Sequence, residues 1–113
     1  MGCAIRVHSE LGAGLLENAY ATCLAHELTL AGIRFEREKP LPLAYRGVRL
    51  DCGYRLDMLV ADEVVVEIKA VDAILRVHEA QMITYLKLSG CRAGLLINFN
   101  VRLLRDGIRR FVL

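Results

Sequence analysis

What this chain lacks narrows it before any motif is read. Its four cysteines stand at positions 3, 23, 52 and 91, with no Cys-x-x-Cys pair and no spacing that fits a zinc site. No apolar run reaches the length of a membrane-spanning helix. The first residues alternate charged and apolar, which is not the pattern of a signal peptide. A cytoplasmic setting with free, mostly buried thiols is expected. A dominant charge of one sign is missing too: the net charge is +2, so no strong global field gathers nucleic acid. Lysine is scarce, three residues against twelve arginines. Arginine favours bidentate contacts to phosphate or carboxylate, although a codon preference for arginine would give the same count.

No internal repeat, low-complexity tract or linker interrupts the 113 residues. The composition, 55% hydrophobic and 25% charged, is that of a folded chain and not of a disordered tail. One domain over residues 1–113 is expected, with a core that needs no staples.

The apolar spacing predicts a short helix over 4–11 ending at Gly12. A longer helix is predicted from Leu15 to about Ala31, closed by Gly32. Ile33 to Glu38 reads as a strand interrupted by Pro40 and Pro42. Leu43 to Tyr45 and Val48 to Asp51 flank a tight turn at Arg46-Gly47. Another helix is expected over Val77 to Leu88, and a buried strand over Ala93 to Asn98. A turn at Asp106-Gly107 and a strand from Ile108 to Val112 close the chain. The order predicts an α/β sandwich with a mixed sheet.

Residues 54–70 carry the most information. They read as two strands around a three-residue loop, Ala61-Asp62-Glu63. Val60 then faces Val64, Met58 faces Val66, and Leu56 faces Ile68, all on one apolar face. On the other face Asp57 lies opposite Glu67, and Arg55 opposite Lys69. Two carboxylates opposed on a sheet repel, and a chain tolerates this when something positive lies between them. Glu67 and Lys69, two apart on a strand, point to one side. Two hard oxygen ligands beside open space suit Mg²⁺, which keeps several waters and takes further ligands from a substrate phosphate. A nearby lysine can orient or deprotonate a metal-bound water, or stabilise charge on the phosphate under attack. The set describes metal-assisted hydrolysis of a phosphodiester. The competing reading is a solvated hairpin face, with Asp57 and Glu67 paired to Lys69 and Arg55 in weak surface ion pairs.

Two helical residues shift that balance. Glu17 and Tyr20 share a face of the longer helix. Tyr20 and Leu24 turn that face toward the core, where a lone glutamate needs a partner. Gln81 falls on the stripe of Val77, Tyr85 and Leu88, and an amide there also needs one.

With these residues in view, the chain resembles a known family. Gly14-Leu-Leu-Glu17-Asn-Ala-Tyr20 is similar to the pattern that names the GxxExxY family. Asp57 followed by Glu67-Ile-Lys69 resembles the core of the PD-(D/E)XK nuclease superfamily, in which that family is placed. His78-Glu-Ala-Gln81-Met-Ile-Thr-Tyr85 resembles the helix after that core, and Leu95-Leu-Ile-Asn98-Phe-Asn100 the next strand. The likeness runs from about Val7 to Val112. It implies a restriction-endonuclease-like core, a central mixed β-sheet flanked by α-helices. It implies a Mg²⁺ site at Asp57 and Glu67, with Mn²⁺ as a substitute, Lys69 as the catalytic lysine, and Glu17 and Gln81 as accessory catalytic residues. His8 matches the family's Val-His pair and is expected in a capping or core role more than as a phosphate ligand. His78, one turn before Gln81, is a further candidate for the cleft. Arg55 is placed either to touch a phosphate backbone or to partner Glu67.

The leading expectation is a Mg²⁺-dependent nuclease-like domain acting on DNA or RNA. Its competitor is a catalytically silent module that binds nucleic acid or protein, favoured by the near-neutral charge and the lack of a basic run. A hydrolase of another phosphoester is a third reading. The apolar excess points to a homodimer, and a chain this short would need one to embrace a duplex.

Overall fold

The computed structural model describes every residue, Met1–Leu113. Two helices lead the chain, α1 (Gly2–Leu11) and α2 (Glu17–Leu30). Strand β1 (Phe35–Pro40) comes next, then a two-stranded ribbon of β2 (Leu43–Tyr45) and β3 (Val48–Leu50). The central hairpin is β4 (Arg55–Val60) and β5 (Val64–Lys69). Helix α3 (Arg76–Ser89), β6 (Ala93–Asn98), a 3₁₀ turn (Leu104–Gly107) and β7 (Ile108–Val112) complete it.

The main sheet runs β1-β4-β5-β6-β7. It is antiparallel except for β5 and β6, which run parallel from Val64↔Ala93 to Lys69↔Asn98. A parallel pair needs a crossover, and α3 supplies it. The expected mixed sheet flanked by helices is therefore what forms. Pro40 falls inside β1, and β1 is an edge strand, the place where a missing N–H does least harm. The ribbon turn forms as predicted, with Arg46 and Gly47 both at positive φ (51° and 80°), as a two-residue hairpin loop requires.

Helices cover both faces of the sheet, and each face has its own apolar core. Ala4 and Val7 of α1 join Tyr20, Leu24 and Leu28 of α2 over Met58, Val66, Ile68 and Ile97. On the opposite face Met82, Tyr85 and Leu86 of α3 cover Leu56, Leu59, Val65 and Leu96. Burying a side chain of this size contributes about 1.5–3 kcal/mol. No helix is long and apolar enough to cross a membrane.

Two expectations about facing are overturned. Leu56 does not pack with Ile68: it lies in the α3 core, while Ile68 stays with Met58 and Val66. Leu56 and Met58 are two apart on one strand yet face opposite layers, so β4 loses its alternation at Asp57. Helix α3 is also rotated from the expected stripe. Its buried residues are Met82, Tyr85 and Leu86, whereas Val77 is 61% exposed and Gln81 is exposed. Gly94 explains the rotation. A Cβ there would collide with the sulfur of Met82, so the missing side chain on β6 is the groove into which Met82 fits.

Candidate active site

Three ladder pairs close the tip of the hairpin: Val60↔Val64, Leu59↔Val65 and Met58↔Val66. Beyond them β4 and β5 part, and side chains replace the ladder. The Asp57 N–H donates to Glu67 Oε2 at 2.8 Å. The Ile68 N–H donates to Asp57 Oδ2, also at 2.8 Å. Each carboxylate is thus held by the backbone of the opposite strand. Asp57 Oδ1 and Glu67 Oε1 have no protein partner, and no partnerless side-chain oxygen of the chain is sealed from solvent. The site therefore offers two fixed carboxylates, each with one oxygen free and reachable.

The electrostatics are those of a pair crowded together out of water. Burial, and then the neighbouring Asp57 carboxylate, push Glu67 up to about 8. Its hydrogen bond from the Asp57 N–H and the charge of Lys69 act against this, and Glu17 adds to it. Asp57 is also raised, chiefly by burial, with the Ile68 hydrogen bond and Lys69 opposing. Lys69 is close enough to act on both carboxylates, but it forms no ion pair. The ion pairs of the chain are Arg6–Glu27, Arg34–Asp62 and Lys39–Glu36. The pairing of Asp57 and Glu67 with Lys69 and Arg55 expected of a solvated hairpin face does not form, and Arg55 is exposed.

Glu17 reaches the site by a route the sequence did not foresee. It is exposed, not turned into the core, and is the first residue of α2. Tyr20, one turn on, is fully buried and stacks on Phe99 with ring centroids 4.6 Å apart. Its hydroxyl donates to the Gly12 carbonyl at 2.6 Å and accepts from the Leu15 N–H at 3.1 Å. Tyr20 so fixes the loop from which Glu17 emerges, and Gly14 turns that loop at φ 97°, a conformation glycine adopts freely. This gives a physical reason for the Gly-x-x-Glu-x-x-Tyr spacing. Glu17 then lines a cleft of about 250 Å³ with Asn18, Ala21, Arg37, Glu38, Asp57 and Ile68.

Lys69 is positioned by bonds at the carboxyl end of its own strand. Its carbonyl accepts from the Phe99 N–H at 2.9 Å. The buried Asn98 clamps the next turn, accepting from the Val71 N–H and donating to the Val71 carbonyl. Asn98 thus locks together the carboxyl ends of β5 and β6, the end of a parallel pair where ligands are commonly met.

The other expected residues separate. Gln81 is exposed and makes no hydrogen bond that ties it to the carboxylates. His8 is structural: buried against Phe99, it donates from Nε2 to the Val101 carbonyl at 2.7 Å. The His78 Nδ1 accepts from the Leu75 N–H, so its ring caps α3. Tyr85 stood in the sequence on an apolar stripe and in the helix that resembles the family's, without a role of its own, yet its hydroxyl is raised by burial and then by the charges of Glu67 and Asp57. Helix α3 thus contributes Tyr85 to the electrostatic surroundings of the pair. Arg37 and Glu38 were missed entirely, because a charged edge strand carries no sequence pattern that points into a cleft.

No group of three or more His, Cys, Asp or Glu side chains converges as a ready metal site. No curated protein and no solved structure matches the chain significantly. The family model of the PD-(D/E)XK nuclease superfamily matches residues 1–111, nearly the whole length and all of the sheet but the last residue of β7. The fold and the match together show that the chain belongs to the PD-(D/E)XK nuclease superfamily.

Proposed function

We propose that residues 1–113 form one nuclease-like domain of the GxxExxY type, which hydrolyses phosphodiester bonds of DNA or RNA with Mg²⁺. One observation carries this reading. Asp57 and Glu67 are locked side by side by backbone N–H groups, each with a free oxygen, and Glu67 is pushed up to about 8. A chain that holds two carboxylates so close bears an electrostatic cost that a cation removes. Two hard oxygens and open space fit Mg²⁺, which keeps most of its waters and needs no third protein ligand.

Asp57 and Glu67 would hold the metal, and Mn²⁺ would substitute. When bound, a divalent cation supplies Lewis-acid polarisation of the phosphate and neutralises developing charge. Lys69 orients the attacking water and stabilises negative charge on the non-bridging oxygens as the phosphorus–oxygen bond breaks. Glu17 lines the cleft on the α2 side, and Tyr85 borders the pair from the opposite layer. Gln81 stays at the rim of α3 as an accessory residue that a bound strand would meet.

Titration calorimetry with Mg²⁺ and Mn²⁺ tests the metal site. Wild type should bind and Glu67→Ala should not; equal, poor binding by both removes the claim. Lys69→Ala should fold normally and lower cleavage about 10²–10³-fold, the range for loss of one charge-stabilising group. The silent binding module is the second reading, favoured by a net charge of only +2. Metal binding and nucleic-acid binding without cleavage would establish it. A soluble homodimer in the cytoplasm completes the proposal, and sedimentation of the free protein checks its oligomeric part.

A further inference from the structure

Arg37 and Glu38 are neighbours on a strand, and neighbours on a strand point to opposite faces. Both nonetheless line the cleft with Glu17 and Asp57. The exception is permitted by the backbone of Glu38, which has φ 49°, left-handed for a residue that ordinarily avoids it. The β1–β4 ladder records the same break. It pairs Arg37↔Met58 and Lys39↔Leu56 but not Glu38 with Asp57 between them. Asp57 is also where β4 loses its alternation. Two adjacent strands therefore break step at one level, and that level is the cleft.

The charges of the cleft wall are unequal. Glu17, Glu38 and Asp57 are its carboxylates, and Arg37 is its one cation. Arg37 is half-buried, takes part in none of the chain's ion pairs, and its field lowers Asp57. A guanidinium among three carboxylates that bonds to none of them keeps its forked donors free. That fork matches the oxygens of a phosphate. Without Arg37, an anion entering the cleft would meet three carboxylates and no cation in the lining.

We propose that Arg37 receives the phosphate group of the nucleic-acid strand in this cleft, and that the break in β1 turns Glu38 in beside it as an opposing charge. The proposal rests on the nuclease reading for the identity of the strand. It adds a substrate contact on β1, on the opposite side of Asp57 from the β5 pair Glu67 and Lys69.

Fluorescence anisotropy with labelled DNA and RNA oligonucleotides tests it, with Mg²⁺ and with EDTA, across about 50–200 mM salt. Arg37→Ala should weaken binding about tenfold. It should also flatten the slope of log affinity against log salt by about 0.7–0.9, the share of one phosphate contact. Arg37→Lys should keep the slope and recover only part of the affinity, since a point charge lacks the fork. The DNA and RNA arms show which strand is received. Glu38→Gly removes a carboxylate from beside Arg37 while glycine accepts the left-handed backbone, so it should bind at least as tightly as wild type.

Wild-type affinity and slope in Arg37→Ala overturn the proposal, and weaker binding by Glu38→Gly overturns the opposing role of Glu38. Cleavage by wild type that is unchanged in Arg37→Ala removes Arg37 alone. Arg37-dependent binding without any cleavage removes hydrolysis alone. If wild type binds neither nucleic acid, both readings fall.

Discussion

The two ends of the β4–β5 hairpin are built from the same two strands and do opposite things. At the tip, Val60, Leu59 and Met58 pair with Val64, Val65 and Val66 in an unbroken ladder. Both faces there are covered by helices, and no side chain of these pairs carries charge. At the open end the ladder stops and Asp57 and Glu67 take over its hydrogen bonds. Side-chain carboxylates are poor substitutes for a ladder, because two of them must stand together in a dry place. The closed end is organised for stability. The open end gives up stability to hold two carboxylates in place, a division often met at functional sites.

The largest effect expected on breaking this contrast is at the closed end. Met58 is fully buried in the core beneath α1 and α2, and Met58→Ala should cost about 2–5 kcal/mol in urea unfolding. If folding survives, its metal titration should match wild type. A lost metal site at retained folding would mean that the two ends are not separable.

At the open end the dependence is on pH. Glu67 titrates at about 8 when folded and near 4.5 in its ordinary state. Between those values the folded chain holds a proton that the unfolded chain has released. The contribution is therefore complete below about pH 4.5 and is lost as pH rises through 8. Asp57 is raised as well and acts in the same direction. Metal-free protein should lose up to about 1.4 kcal/mol per pH unit, several kcal/mol in all, between about pH 4.5 and about pH 8. Glu67→Gln should remove most of that slope. A slope that persists in the Gln variant assigns it to other groups.

A smaller effect is expected where the two ends are linked through α2. Tyr20→Phe keeps the stack on Phe99 but loses both bonds to the loop before Glu17. It should cost about 1–3 kcal/mol and raise hydrogen exchange over residues 12–16. Unchanged exchange would show that the hydroxyl does not hold this loop. The smallest effect belongs to the surface. Arg34–Asp62, beside the tip, is an exposed pair, and Arg34→Ala should change stability by less than about 1 kcal/mol.

Much of this architecture was legible in the chain. The run Ala93 to Asn98 forms β6 with those bounds, because a short apolar stretch bounded by turn residues has few alternatives. Arg76–Ser89 extends the predicted helix by one residue at each end. The adjacency of Asp57 and Glu67 came from counting back from the turn. The counting failed one step later, at Leu56, since it assumed a ladder that the carboxylates interrupt. Gln81 was misplaced because periodicity gives a stripe to within one residue, and Gly94 on another element chose which residue would be buried.

The sequence by itself determined the elements, their order and the carboxylate pair, because those depend on local spacing and on a turn only three residues long. Tertiary structure alone decided that Tyr20 would present Glu17, that α3 would turn Gln81 outward, and that a break in β1 would set Glu38 beside Arg37 in the cleft. Each of those depends on contacts between residues distant in the chain, and no local period records them.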